Sequence, residues 1–158
     1  MSLRKKYDPQ FLFLMETKNK KEKLEMLRRR NGFEDACYVD PKGLSGGLAV
    51  WWKEQGVVKV LGKNKNLIDM QVEDMGYGIQ YRVFWVYGPT DYEERKDVWE
   101  LISERGRDIG IPWLCLGDFN DILYNYEKKG GNIRAARKIK GFRMMIENCR
   151  LNDLGFKG

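Results

Sequence analysis

The sequence predicts a layered domain of mixed helix and strand, α+β or α/β, with sheet dominating the middle of the chain. Three observations lead there. Hydrophobic residues make up 42% of the 158 residues and charged residues 33%, enough for a packed core in one domain of ordinary length. Ile79, Tyr81, Val83, Trp85 and Tyr87 alternate with residues such as Gln80 and Arg82, the period of a half-buried strand. Other short apolar runs end at glycine, proline or polar clusters, and stretches with helical spacing lie among them.

Each element follows in order. Phe11–Met15 reads as a short buried strand ending at Glu16. Asn19 and Glu22 have capping-box spacing, Leu24 and Leu27 give a helical stripe, and Asn31-Gly32 stops it. A glycine-rich turn from Gly43 to Gly47 opens a strand over Leu48–Trp52. Val57–Leu61 and Leu67–Val72 are further strands, and Gly88-Pro89 ends the alternating one. Thr90 and Glu93 form a second capping box before a helix whose apolar stripe is Val98, Leu101 and Ile102. Pro112 precedes a strand over Trp113–Leu116. A last helix covers about residues 134–150, with Ile139, Phe142, Ile146 and Cys149 on one face.

Composition removes several function classes. Histidine is absent, which excludes a Ser-His-Asp triad, a His-ligated zinc and an imidazole base from this chain. The longest apolar runs fall far short of the roughly 20 residues of a membrane helix, so no membrane association is expected. Three widely spaced cysteines, Cys37, Cys115 and Cys149, give no disulfide framework, and the N-terminus has no secretory apolar core. The expected location is intracellular, not secreted. Arg28-Arg29-Arg30 reads either as a nuclear-import run or as a solvated helix end, the blander alternative. The net charge of +6 is unevenly spread: residues 1–30 and 124–158 are each net +6, and residues 31–123 net −6. Basic ends attract an anionic polymer such as nucleic acid, and clustered carboxylates attract a cation. A lysine-rich solvated surface accounts for the same charges.

Three strands end alike. Phe11–Met15 runs into Glu16-Thr17-Lys18, the alternating strand into Tyr87-Gly88-Pro89-Thr90, and Trp113–Leu116 into Gly117-Asp118-Phe119-Asn120. Polar side chains just past buried strands are held rigidly while the loops open a crevice. Two carboxylates such as Glu16 and Asp118, if about 4 Å apart, repel by ~4 kcal/mol at an effective dielectric near 20. A hard divalent cation relieves that repulsion, and Lys18 can meet a phosphate as a point charge. Each residue also fits a structural role: Glu16 a solvent-facing strand end, Tyr87 the buried face, Asp118 and Asn120 turn formers, Thr90 a helix cap.

FLMETK at 13–18, GLSGGLAVWW at 43–52, VYGPT at 86–90, GDFNDIL at 117–123, EKKGG at 127–131 and LNDLGFKG at 151–158 occur in an order that resembles the endonuclease/exonuclease/phosphatase superfamily. Within it the resemblance is to the apurinic-like endonuclease domain of plant LINE-type (non-LTR) retrotransposons, over nearly the whole chain. It implies a DNase I-like four-layer αββα sandwich and Mg²⁺-dependent (or Mn²⁺-dependent) hydrolysis of phosphodiesters in DNA. By that resemblance Glu16 is the metal-binding glutamate and Lys18 its phosphate-side neighbour. Tyr87 bonds the scissile phosphate, Asp118 positions or deprotonates the attacking water, and Asn120 orients nucleophile and phosphate. Thr90 stands where relatives often carry a phosphate-contacting asparagine.

The resemblance also implies two gaps. Relatives carry an earlier strand with a metal-assisting asparagine, and later strands with a Ser-Asp-His motif. Residues 1–158 are therefore expected to be one incomplete domain, monomeric, lacking the first strand and the C-terminal strands. Trp85 and Trp113 are expected to lose part of their cover. Loss of a general acid–base group typically costs ~10²–10⁴ in rate, so impaired or absent DNA cleavage is expected. The alternative is a degenerate retrotransposon relic with only weak nucleic-acid binding, and a phosphatase of lipid-derived phosphates is disfavoured by EKKGG and LNDLGFKG.

Overall fold

The computed structural model describes residues 6–43, 45–107 and 109–155. Residues 1–5, Leu44 of the glycine-rich turn, Asp108 and the last three residues of LNDLGFKG lie outside the described residues. The chain forms two compact units. Unit 1 comprises residues 1–87 and 111–117, and unit 2 comprises residues 88–110 and 118–158.

Unit 1 is a two-sheet sandwich. The first sheet has the order β1-β3-β2, from β1 (Phe11–Met15), β2 (Asp35–Val39) and β3 (Leu48–Trp52), all antiparallel. The second has the order β4-β5-β6-β7, from β4 (Val58–Lys63), β5 (Leu67–Asp74), β6 (Ile79–Tyr87) and β7 (Trp113–Asp118). β4, β5 and β6 are antiparallel, with a bulge between Val60 and Gly62. The Arg82 amide donates to the Pro112 carbonyl at 2.9 Å, and the Gly88 amide to the Asp118 carbonyl at 2.7 Å. The equal spacing of these two bonds along both strands makes β7 parallel to β6.

The alternation of β3 explains the layers. Leu48, Val50 and Trp52 face the second sheet and pack with Cys37, Ile68, Met70, Val72, Val83 and Trp85. Ala49 and Trp51 face the other way, onto Leu24, Phe33 and Tyr38. Leu24 belongs to α1 (Lys21–Arg30), which covers that outer face. A central strand buried on both faces reads as LAVWW, with no polar residue.

Several expectations need correction. β2 was not predicted: DACYV has only a short apolar segment after a turn. Asn19 is not the cap of α1, whose N-cap residue Lys20 makes no side-chain capping bond. Asn19 Nδ2 instead donates to the Thr17 carbonyl at 2.5 Å. Arg28 is buried rather than solvated, donating to the Phe33 carbonyl and paired with Glu25 at 2.9 Å. Trp85 keeps its cover in the sandwich core, whereas Trp113 is half-buried, edge-on to Phe84 with centroids 5.2 Å apart.

Unit 2 holds α2 (Tyr92–Gly106), a single 3₁₀ turn at Asn125–Glu127 and α3 (Ala136–Asn148). Its core is aromatic: Trp99, Phe119 and Phe142 lie in mutual contact, with centroids 5.0–5.9 Å apart. The predicted stripes hold for Val98, Ile102, Ile139, Phe142 and Cys149, and Trp99 and Met145 join them. Asp91, not Thr90, caps α2, accepting from the Glu93 and Glu94 amides at 2.9 and 3.1 Å. No helix among the described residues is long and apolar enough to cross a membrane.

Candidate active site

In unit 1 the site begins with β1. Met15 pairs with Leu48, and the chain then turns at Glu16 and Lys18, both left-handed at φ of 49° and 50°. The Thr17 and Lys18 amides donate to the Gly47 and Gly46 carbonyls, each at 3.1 Å. The glycines are required there. Gly47 has φ of 89°, and a Cβ on it would strike the Thr17 hydroxyl. The GLSGG motif thus holds the ETK turn against the start of β3.

Tyr87, the last residue of β6, donates its hydroxyl hydrogen to Glu16 Oε1, joining residues 71 positions apart. Its backbone is held at both ends by Asn66: the Tyr87 amide donates to the Asn66 carbonyl, and Asn66 Nδ2 donates to the Tyr87 carbonyl, each at 2.8 Å. Asn66 is itself buried, and its amide bonds Asn64 Oδ1 at 2.8 Å. Sequence reasoning missed it. The only available signal was an asparagine-rich turn, NKN, directly before an apolar strand. The Lys18 ammonium is exposed at the same turn as Glu16.

In unit 2 the exposed Asp118 carboxylate accepts from the Asn120 amide at 2.8 Å, and Asn120 is left-handed at φ of 49°. Asn120 Nδ2 donates to the Gly88 carbonyl at 2.7 Å, and the Gly88 amide donates to the Asp118 carbonyl. A Cβ at Gly88 would fall on the Phe119 carbonyl, so only glycine admits this approach. Thr90 is not gathered into this turn: it is exposed, and its carbonyl accepts from Arg95 Nη1 at 2.7 Å.

Beneath the turn sits a second feature that sequence reasoning missed. The fully buried Asp121 carboxylate lies between two guanidiniums, 3.3 Å from Arg95 Nε and 2.5 Å from Arg134 Nη1. Arg95 Nη1 also bonds the Pro89 carbonyl at 2.9 Å. Asp121 therefore anchors the Asp118–Asn120 turn to α2 and to the chain before α3. Glu16, Lys18 and Asn120 are three of five non-glycine residues with positive φ among the described residues. Such conformations cost of order 1–3 kcal/mol each and persist where surrounding structure imposes them.

A metal fits one part of this arrangement. Among the described residues no group of three or more His, Cys, Asp or Glu side chains could hold an ion. Mg²⁺ does not need one: it takes one or two carboxylates and fills its sphere with water and phosphate oxygens. Glu16 is an exposed hard-oxygen donor with Oε1 shared with the Tyr87 hydroxyl.

The described fold and these turns define an α+β sandwich with chemically capable strand ends. The model of the Endonuclease/Exonuclease/phosphatase family matches residues 1–146, and the chain belongs to that family. Solved structures agree on the fold. An AP endonuclease from Archaeoglobus fulgidus is 18% identical with a TM-score of 0.65, covering 91% of this chain and 62% of its own. AP endonuclease LMAP from Leishmania major is 10% identical with a TM-score of 0.64, covering 92% and 59%. The 3′ phosphatase NExo from Neisseria, bound to product DNA hairpin, is 15% identical with a TM-score of 0.65, covering 92% and 63%. The chain thus spans about three-fifths of the length of these structures. No curated protein matches it.

Proposed function

We propose that the chain is a divalent-metal-dependent phosphodiesterase acting on DNA, an endonuclease related to those of plant LINE-type retrotransposons, with Mg²⁺ (or Mn²⁺) as its ion. The observation that carries this reading is the Glu16–Tyr87 hydrogen bond, which joins a metal-capable carboxylate to a phosphate-capable hydroxyl across 71 residues. The DNA-bound state of the Neisseria 3′ phosphatase supports a nucleic-acid substrate.

Glu16 would hold the ion, which when bound offsets charge on the phosphate oxygens. Tyr87, its backbone fixed by Asn66, would turn its hydroxyl hydrogen from Glu16 to a phosphate oxygen once Glu16 holds the ion, and Lys18 adds a positive charge at the same turn. Asp118 takes the proton of the attacking water. Asn120 spends its amide nitrogen on the Gly88 carbonyl and leaves its oxygen to orient that water. Thr90, whose side chain is exposed, gives at most a weak substrate contact. The chain is expected to work as a monomer. With no histidine, the rate is expected to fall ~10²–10⁴ below that of an enzyme with an imidazole acid–base group.

Nicking of supercoiled plasmid, with Mg²⁺ and with EDTA, tests this. Slow Mg²⁺-dependent nicking is expected, reduced about 10²-fold or more by Glu16→Gln or Asp118→Asn. Retention of DNA at low salt with no nicking at any enzyme concentration overturns catalysis and leaves a binding relic.

A further inference from the structure

The side chains of Tyr124, Tyr126, Lys128 and Lys129, after the Asp118–Asn120 turn, have no role in the chemistry above, yet they form an unusual surface. The rings of Tyr124 and Tyr126 stack with 7° between planes and 5.2 Å between centroids. The Arg143 guanidinium lies 4.5 Å over the Tyr124 ring, and Arg143 Nε donates to the Leu123 carbonyl at 2.6 Å. Tyr126 is 79% exposed, so most of one ring face is open.

The loop presenting these rings is closed at its neck. The Asn125 side chain accepts from the Arg134 amide at 2.9 Å and donates to the Arg134 carbonyl at 3.1 Å. Arg134 is in turn fixed on buried Asp121. Lys128 donates to the Asn132 carbonyl at 3.1 Å, and Lys129 beside it is exposed. Residues 124–143 hold seven Lys or Arg and one acidic residue.

We propose that the Tyr124–Tyr126 pair is a stacking platform for an unpaired nucleobase, with Lys128 and Lys129 meeting the flanking phosphates. The inference deepens the nucleic-acid reading above and rests on it. Every base has a π face, and an aromatic ring beside a cationic run recognises single strands without reading sequence. A duplex hides those faces, so the platform selects unpaired nucleotides.

The test is fluorescence anisotropy in EDTA, where nothing is cleaved. The probes are labelled oligo(dT), oligo(U) and an abasic phosphodiester oligomer of equal length. The wild-type chain is expected to bind at least one base-bearing oligomer more tightly than the abasic one, and the two base-bearing arms separate DNA from RNA. Tyr126→Ala should weaken base-bearing oligomers about tenfold and leave the abasic one unchanged, while Tyr126→Trp retains binding. Lys128→Ala with Lys129→Ala should weaken all three and flatten the salt dependence. A wild type that binds base-bearing and abasic oligomers alike, or none of them, overturns the platform, as does an equal loss on all three with Tyr126→Ala. Glu16→Gln should lose nicking and keep oligo(dT) binding. Loss of catalysis and loss of the platform are therefore read separately.

Discussion

The two units present their candidate residues by different means. In unit 1, Glu16 and Tyr87 stand at the ends of strands whose register is fixed by a continuous apolar core. Among the described residues its deeply buried acid is Asp69, which meets Arg82 in a pair of bonds at 2.7 and 2.8 Å. In unit 2, Asp118 closes β7 and the chain turns directly after it through the left-handed Asn120. Backbone bonds to Gly88 and a buried carboxylate between two arginines hold that turn in place. A sheet fixes a side chain through many weak contacts spread along two strands. A turn depends on a few strong polar ones, so a single substitution should disturb it more.

Asp121→Ala should therefore have the largest effect on stability. It leaves two guanidiniums without their anion, and Arg95 is 6% exposed in its side chain. Breaking a buried pair by removing one partner costs about 3–5 kcal/mol. Asp69→Ala removes the corresponding acid of unit 1. Arg82 there retains 19% side-chain exposure and the Phe84 ring at 4.9 Å, so a loss of about 1.5–3 kcal/mol is expected. Hydrogen exchange read on peptides of each unit checks both. The contrast fails if Asp69→Ala loosens unit 1 as much as Asp121→Ala loosens unit 2.

The same contrast explains what was legible in the sequence. Most strands of unit 1 were readable because short apolar runs bounded by turn residues, and the alternation of β6, are local signals; Phe11–Met15 and Leu48–Trp52 have the predicted bounds, whereas β2 was not read. Glu16 and Tyr87 were nominated because both follow such strands. Their hydrogen bond was not readable, since nothing local encodes a contact across 71 residues. Asp121 was not singled out in the sequence. Only the fold reveals that Arg95 and Arg134, on either side of it in sequence, converge on its carboxylate. Asn66 was missed for the same reason: its role is to grip the backbone of a residue 21 positions away.

Asn66→Ala gives the next effect in size. It removes the donor to the Tyr87 carbonyl and costs about 1–2 kcal/mol. The Tyr87 ring should also lose its fixed aim, lowering the plasmid-nicking rate more than DNA binding. Asn66→Asp, which keeps the shape but sets an acceptor against the carbonyl, should be no better than alanine. Equal nicking by wild type and both variants would show that Asn66 only holds the strand end.

The smallest effect concerns the start of α2, where the structure reassigned the cap. The Glu94 amide, followed by those of Glu93 and Tyr92, holds the Asp91 carboxyl below its ordinary value, and the Arg95 charge adds to this. A carboxyl whose folded pKa is depressed contributes stability that is complete above its unfolded value, about 3.9. That contribution is lost as the pH falls through the lower folded value. Asp91→Ala should thus lower the protection of α2 amides at pH 7, with the difference from wild type shrinking as the pH drops below 4. Thr90→Ala should change neither, because the Thr90 contact that matters is made by its carbonyl. If Thr90→Ala frays α2 and Asp91→Ala does not, the capping-box spacing of Thr90 and Glu93 was the better guide. The cap would then be another local signal of the kind that made the strands of unit 1 readable.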